Sequence, residues 1–113
     1  MNILFITADQ FRYDYLGRDE STPVKTPNLD KLASAGVVHE NTYSVNPLCM
    51  PARCSWLTGL YSHQHGIYDN KGDLNPNLPT LPGILQKKNY YTAMIGKIHF
   101  FEAIPDNLDY SQI

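Results

Sequence analysis

The sequence predicts an α/β fold built on a mostly parallel central sheet, and three observations lead there. Ile3, Leu4, Phe5 and Ile6 form an unbroken apolar run that ends at Thr7-Ala8-Asp9-Gln10. A run apolar at every position is the mark of a strand buried on both faces, which is the condition of strands in a parallel sheet. A capped helix follows over residues 26–36, and a second helix and strand follow over residues 80–95.

Each element has a local reason. Asp9 and Gln10 stand where the first strand ends, and in open α/β sheets ligands bind outside the carboxyl ends of strands. Thr26 is a favoured N-cap, Pro27 suits the first helical position and Gly36 suits the residue past the end, with Leu29 and Leu32 expected on the core face. Residues 37–43 read as a strand that leads through Pro47 to Cys49. Pro51 is expected to open a helix that runs to about Leu57 and stops near Gly59, with Cys49 just before it. Residues 61–79 are rich in His, Asn, Asp, Gly and Pro and read as loop. Thr80-Leu81-Pro82 opens a helix through about Lys88, and the aromatic and β-branched residues 90–95 read as a second buried strand. Residues 102–113 show no period.

Composition narrows the functional classes. The chain has 113 residues, 42% of them hydrophobic, which is enough for a modest core at single-domain size. A net charge of −2 supplies no basic face for nucleic acid. The longest apolar runs fall far short of the ~20 residues of a membrane span. No basic start and small-residue cleavage site precede the first strand, so the cytoplasm is the expected location, with a periplasmic form left open if a leader has been removed. Cys49 and Cys54 are poorly placed to pair within one helix, and Cys54 reads as a small buried apolar residue.

The richest stretch is Cys49-Met50-Pro51-Ala52-Arg53, closed by Thr58-Gly59. A cysteine at a helix mouth with arginine one turn on is suited to an anion. The free N–H groups of the first turn, the positive end of the helix dipole and the Arg53 guanidinium are expected to bear on whatever the Cys49 side chain carries.

These residues resemble the sulfatase signature, C-x-P-x-R with a trailing T-G. The resemblance extends from Ile3 to about Phe100 and implies an alkaline-phosphatase-like three-layer sandwich, of which residues 1–113 are the N-terminal part. It also implies that a formylglycine-generating enzyme oxidises Cys49 to formylglycine, the nucleophile that attacks a small sulfate-ester substrate. Gly96-Lys97-Ile98-His99 is similar to the family's G-K-x-H segment. There the lysine bridges nucleophile and sulfate, and the histidine contacts a hydroxyl of the hydrated aldehyde or assists its proton transfer. Alternation in a strand would put Lys97 and His99 on one side.

Asp9 and Gln10 match the family's metal-binding acidic pair, which with the oxygens of modified Cys49 implies Ca2+, or Mg2+ or Mn2+ in its place. Gln10 departs from the commoner Asp and removes a negative charge. Such a glutamine also occurs in related phosphonate monoester hydrolases, so a phosphonate or phosphate monoester hydrolase is the alternative enzyme reading.

Other chemistry-bearing residues have plainer expectations. His63 and His65 lack the third and fourth ligands of a zinc site; His65 is expected to order its loop and His63 to line the mouth of the site. Arg12 and Asp14 read as a loop ion pair, and Tyr13, Tyr15, Tyr43 and Tyr68 as packing residues. A non-enzymatic reading is an inactive truncated product, since no second set of metal ligands precedes Ile113. A thiol redox protein would require a C-x-x-C-like arrangement, which Cys49 and Cys54 do not form.

Overall fold

The computed structural model describes residues 1–17 and 21–101 and divides the chain into two compact units, Met1–Tyr43 and Ser44–Ile113. The featureless stretch 102–113 lies outside the described residues.

The first unit contains a 3-10 turn, Tyr13–Tyr15, and helix α1, Pro27–Ala35. α1 starts and stops where Thr26, Pro27 and Gly36 predict. Thr26 acts on both sides of the turn: its Oγ1 accepts from the Gly17 N–H at 2.7 Å and donates to Asp30 Oδ1 at 3.0 Å. Gly17 must be glycine for that approach, since a Cβ there would lie 2.7 Å from the Thr26 nitrogen. Thr22, buried, donates from Oγ1 to the Asp14 carbonyl at 2.9 Å and ties the same loop. Arg12 Nε donates to Asp14 Oδ1 at 2.9 Å and the guanidinium lies over the Tyr15 ring, the expected ion pair.

The second unit is helical. α2 spans Cys49–Thr58, α3 Ser62–His65 and α4 Leu81–Gln86, with α2 packed against both of the others. Its core is Met50, Cys54, Leu57, Ile67, Leu74 and Phe100. The α2 contributions fall at i, i+4 and i+7, one stripe of the helix. Gly59 ends α2 in the left-handed conformation, φ 73°, with its N–H on the Ser55 carbonyl at 2.7 Å. This is the favoured glycine stop. α4 begins as predicted, with Thr80 Oγ1 accepting from the Gly83 N–H at 3.2 Å. It ends at Gln86, before the expected Lys88. Asn89 adopts φ 63°, and the N–H groups of Asn89 and Tyr90 return to the carbonyls of Gln86 and Leu85. That paired bond is a Schellman closure, which stops the helix within a turn.

The predicted sheet is not formed: among the described residues no strand is present. Residues 3–6, 37–43 and 90–95 carry no regular secondary structure. Ile3, Leu4, Phe5 and Ile6 are exposed at 54–82%. A strand apolar on both faces requires neighbours on both edges and layers above and below, and the described residues supply none. Residues 90–95 nevertheless keep a strand-like period of two: Tyr90, Thr92 and Met94 are partly buried, while Tyr91, Ala93 and Ile95 are exposed. Leu29 and Leu32 on α1 are also exposed, as are Tyr13, Tyr15, Tyr43 and Tyr68, so these expected packing residues do not pack among the described residues.

Candidate active site

α2 presents two adjacent stripes. Met50, Cys54 and Leu57 enter the core, and Cys49, Arg53 and Trp56 occupy the next stripe. The helix begins earlier than its proline suggests. Leu48 is the N-cap, Cys49 the first helical residue and Pro51 the third. Two asparagines explain the shift. Asn46 Oδ1 accepts from the Leu48 N–H at 2.9 Å, and Asn70 Oδ1 accepts from the Met50 N–H at 3.0 Å. Pro51 has no N–H to satisfy, and the Ala52 N–H already reaches the Leu48 carbonyl at 3.1 Å. The first turn therefore offers an anion less than a row of free N–H groups: Met50's is taken and Pro51's does not exist.

Cys49 is partly buried, and its Sγ donates to the same Asn70 oxygen at 3.3 Å. Cys54 is fully buried in the core, and burial pushes its thiol up to about 11. Of the two cysteines, only Cys49 faces the site.

Arg53 is 6% exposed, an unusual place for a guanidinium. Its Nη1 donates to the Lys97 carbonyl and its plane lies over the Trp56 ring, 5.4 Å from the centroid. Arg53 thus fastens the Lys97 segment to α2. Phe100, 2% exposed, anchors the same segment from the other side, and its carbonyl accepts from the Leu74 N–H at 2.9 Å.

Strand alternation does not govern residues 97–99, because Gly96 has φ 101° and His99 φ 56°. Lys97 is exposed, whereas His99 is partly buried with its Nδ1 inaccessible and without a hydrogen-bond partner among the described residues. A buried nitrogen left so costs about 1–3 kcal/mol.

His65 orders the loop after α2, as expected. It is 5% exposed, with Nδ1 accepting from the Ile67 N–H at 3.1 Å and Nε2 placed 2.9 Å from Ser55 Oγ. A backbone N–H can only donate, so Nδ1 is unprotonated and the neutral ring carries its proton on Nε2, the nitrogen beside Ser55 Oγ. Burial holds this imidazole below its ordinary range, against a smaller opposing effect of the Pro51 carbonyl. His63 instead stacks on Tyr61 at the surface, with the ring centroids 5.8 Å apart.

Cys49, Arg53, Lys97 and His99 thus belong to one compact unit, and Asp9 and Gln10 to the other. Asp9 and Gln10 are exposed in a turn, where Gln10 adopts φ 55°. Left-handed backbone at a bulky residue carries strain of about 1–3 kcal/mol and gathers at functional sites. The donor chemistry of this pair, a carboxylate and an amide carbonyl, suits a hard cation. The number of donors does not: among the described residues no three His, Cys, Asp or Glu side chains group to hold a metal ion.

The profile of the family described as Sulfatase matches residues 1–106. The chain belongs to the sulfatase family. It is 37% identical over 112 residues to an N-acetylglucosamine-6-O-sulfatase of Bacteroides thetaiotaomicron, an alignment covering 99% of this chain and 20% of that protein. A choline-sulfatase of Rhizobium meliloti is 36% identical over 107 residues, covering 95% of this chain and 20% of the relative. An N-acetylgalactosamine-6-sulfatase of Homo sapiens is 32% identical over 111 residues, covering 87% and 21%. The chain spans about a fifth of the length of these curated relatives. Sequence reasoning missed the asparagine at the mouth of this sulfatase helix. Asn70 acts across 20 residues on Met50, and no local spacing announces such a bond. His65 and Ser55, 10 residues apart, are hidden in the same way.

Proposed function

We propose that the protein carrying this chain hydrolyses sulfate monoesters with residue 49 as nucleophile. The observation that carries the reading is the placement of Cys49 at the first position of α2, one turn from Arg53, whose guanidinium holds the Lys97 segment. The family's fold supplies the frame: an alkaline-phosphatase-like sheet on which residues 3–6 and 90–95 are strands. The exposure of the apolar run 3–6 supports that assignment, since such a run is stable only under cover.

Converted by a formylglycine-generating enzyme, residue 49 would supply, as its hydrated aldehyde, the hydroxyl nucleophile for sulfur and the hydroxyl that releases sulfate. The side chain fits this conversion, because the acceptor that takes the Cys49 S–H also takes an O–H. Lys97 sets its ammonium against the sulfate oxygens and offsets the charge that gathers on them. Arg53 keeps that lysine's backbone in place. His99 contacts a hydroxyl of the hydrated aldehyde or assists its proton transfer. Asp9 and Gln10 would hold a divalent cation, Ca2+ or in its place Mg2+ or Mn2+, together with further ligands beyond this pair and water.

Gln10 favours one competing reading, hydrolysis of phosphonate or phosphate monoesters, because a glutamine at this position also occurs in related phosphonate monoester hydrolases. Turnover of an aryl sulfate and an aryl phosphonate, measured side by side on the full-length protein, separates the two. A larger kcat/KM for the sulfate is expected, and a larger value for the phosphonate reverses the assignment. Intact-protein mass spectrometry must show the thiol replaced by an aldehyde in an active preparation.

A further inference from the structure

We propose that Asn70 is a positioning residue for the nucleophile. The inference rests on the reading of residue 49 given above.

Asn70 stands on a loop pinned at both ends. Ile67, three residues before it, is 7% exposed, and Leu74, four residues after it, is 4% exposed with its N–H on the Phe100 carbonyl. Between them Asp69 Oδ1 accepts from the Lys71 N–H at 3.1 Å and closes a tight turn. The Asn70 amide is delivered to α2 on this fixed arm.

The orientation of that amide is set by chemistry. The Met50 N–H, 3.0 Å away, can only donate, so the atom facing it is Oδ1. Cys49 Sγ meets the same oxygen at 3.3 Å, and its S–H must therefore be the donor. One oxygen thus fixes two things: the first turn of α2 through a backbone N–H, and the rotamer of residue 49 through its side-chain proton. A hydroxyl is a stronger donor than a thiol, so the tether tightens after conversion. With one hydroxyl of the hydrated aldehyde held on Oδ1, tetrahedral geometry at its carbon fixes where the second points. Asn70 touches no reacting sulfur; it decides which oxygen can reach it. A misplacement of about 1 Å in such a pair costs on the order of 100-fold in rate.

The test uses the full-length protein with two variants. Asn70→Leu keeps the volume and removes the acceptor, and Asn70→Asp keeps the acceptor and adds a negative charge beside the anion. The fraction of converted residue 49 is measured by mass spectrometry, and kcat is expressed per converted site.

Asn70→Leu is expected to lower kcat by about 10- to 100-fold with KM within twofold of the parent. Asn70→Asp is expected to retain kcat within a few-fold and to raise KM. In unconverted protein, deuterium exchange of the Met50 amide should accelerate in Asn70→Leu and stay protected in Asn70→Asp. A residue that only caps the helix would give a different result: Leu would lose thermal stability without losing kcat per converted site, while the charge of Asp would raise KM in either case. That result overturns the proposal, as does unchanged Met50 exchange in Asn70→Leu. If the parent itself turns over no sulfate ester, the functional reading fails while the exchange arm still decides whether the tether exists.

Discussion

Arg53 gives the sharpest test of the site's construction, because a guanidinium expected to serve an anion is also spent on the fold. Its Nη1 bonds the Lys97 carbonyl, its face covers Trp56 and its residue is 6% exposed. A hydrogen bond to a charged donor contributes about 1.5–3 kcal/mol. A largely desolvated cation–π contact adds about 1–2 kcal/mol. Arg53→Lys keeps the charge but has one compact ammonium on a shorter reach, so it can serve the carbonyl or the ring and not both. The expected loss is about 2 kcal/mol, plus the cost of leaving an ammonium poorly paired in a buried site. Arg53→Met removes the bond and the ring contact but leaves no buried charge to be paired and keeps the stem, so its loss should be smaller than that of Arg53→Lys. Urea unfolding of the full-length protein, monitored beside aryl sulfate turnover, reads both quantities. The expected order of stability is parent, then Arg53→Met, then Arg53→Lys, with turnover lost in both variants. An Arg53→Lys protein that unfolds at the parent's midpoint would refute the strut.

Three further outcomes follow from the same geometry. Phe100→Ala should cost about 3–5 kcal/mol, the usual range for a buried phenylalanine, and should lower kcat because residues 97–99 lose their anchor; unfolding and kinetics on one preparation check both. His65, held below its ordinary range by burial, makes stability fall with acid. The unfolded histidine takes a proton near pH 6.5 while the folded one resists, so the unfolded state binds more protons and the urea midpoint should drop from pH 7.5 to 5.5. His65→Gln should flatten that dependence, and an equally steep variant would remove His65 as its source. Gln10→Asp adds a carboxylate to the proposed metal pair at a backbone angle that aspartate tolerates; calorimetry on the full-length protein should show calcium bound on the order of tenfold more tightly.

The legible parts of the fold are those with local causes. Thr26, Pro27 and Gly36 bound α1, Gly59 stops α2 and Thr80 starts α4, each through bonds spanning a few residues. The start of α2 misleads because one of its two caps comes from elsewhere: Asn46 is local, but Asn70 reaches back 20 residues to the Met50 N–H. A local rule sees only Pro51 and places the boundary there. The strand at residues 3–6 has the right pattern and no sheet among the described residues, since period and composition state what a segment would bury, not what is present to bury it. Motif spacing singles out Cys49, Arg53, Lys97 and His99, which share one compact unit, whereas the bonds made around them have no signal in the sequence. Arg53's bond to the Lys97 backbone joins residues 44 positions apart, and neither sequence context hints that the arginine serves a carbonyl.

The two stripes of α2 make core and chemistry mechanically inseparable. Met50 and Cys54 lie in the core next in sequence to Cys49 and Arg53, and Phe100 lies there next to His99. A change in core volume at Met50 must be absorbed either by the loop that carries Asn70 or by rotation of the first helical turn, because packed interiors leave no slack. Either response moves the oxygen that holds residue 49. Leu57 shares the stripe but lies two turns away, and its displacement is taken up by the glycine-capped end of the helix. Equal losses of stability at Met50 and Leu57 should therefore give unequal losses of turnover, with Met50 the more damaging. Stability alone cannot produce that inequality; a nucleophile positioned from the core can.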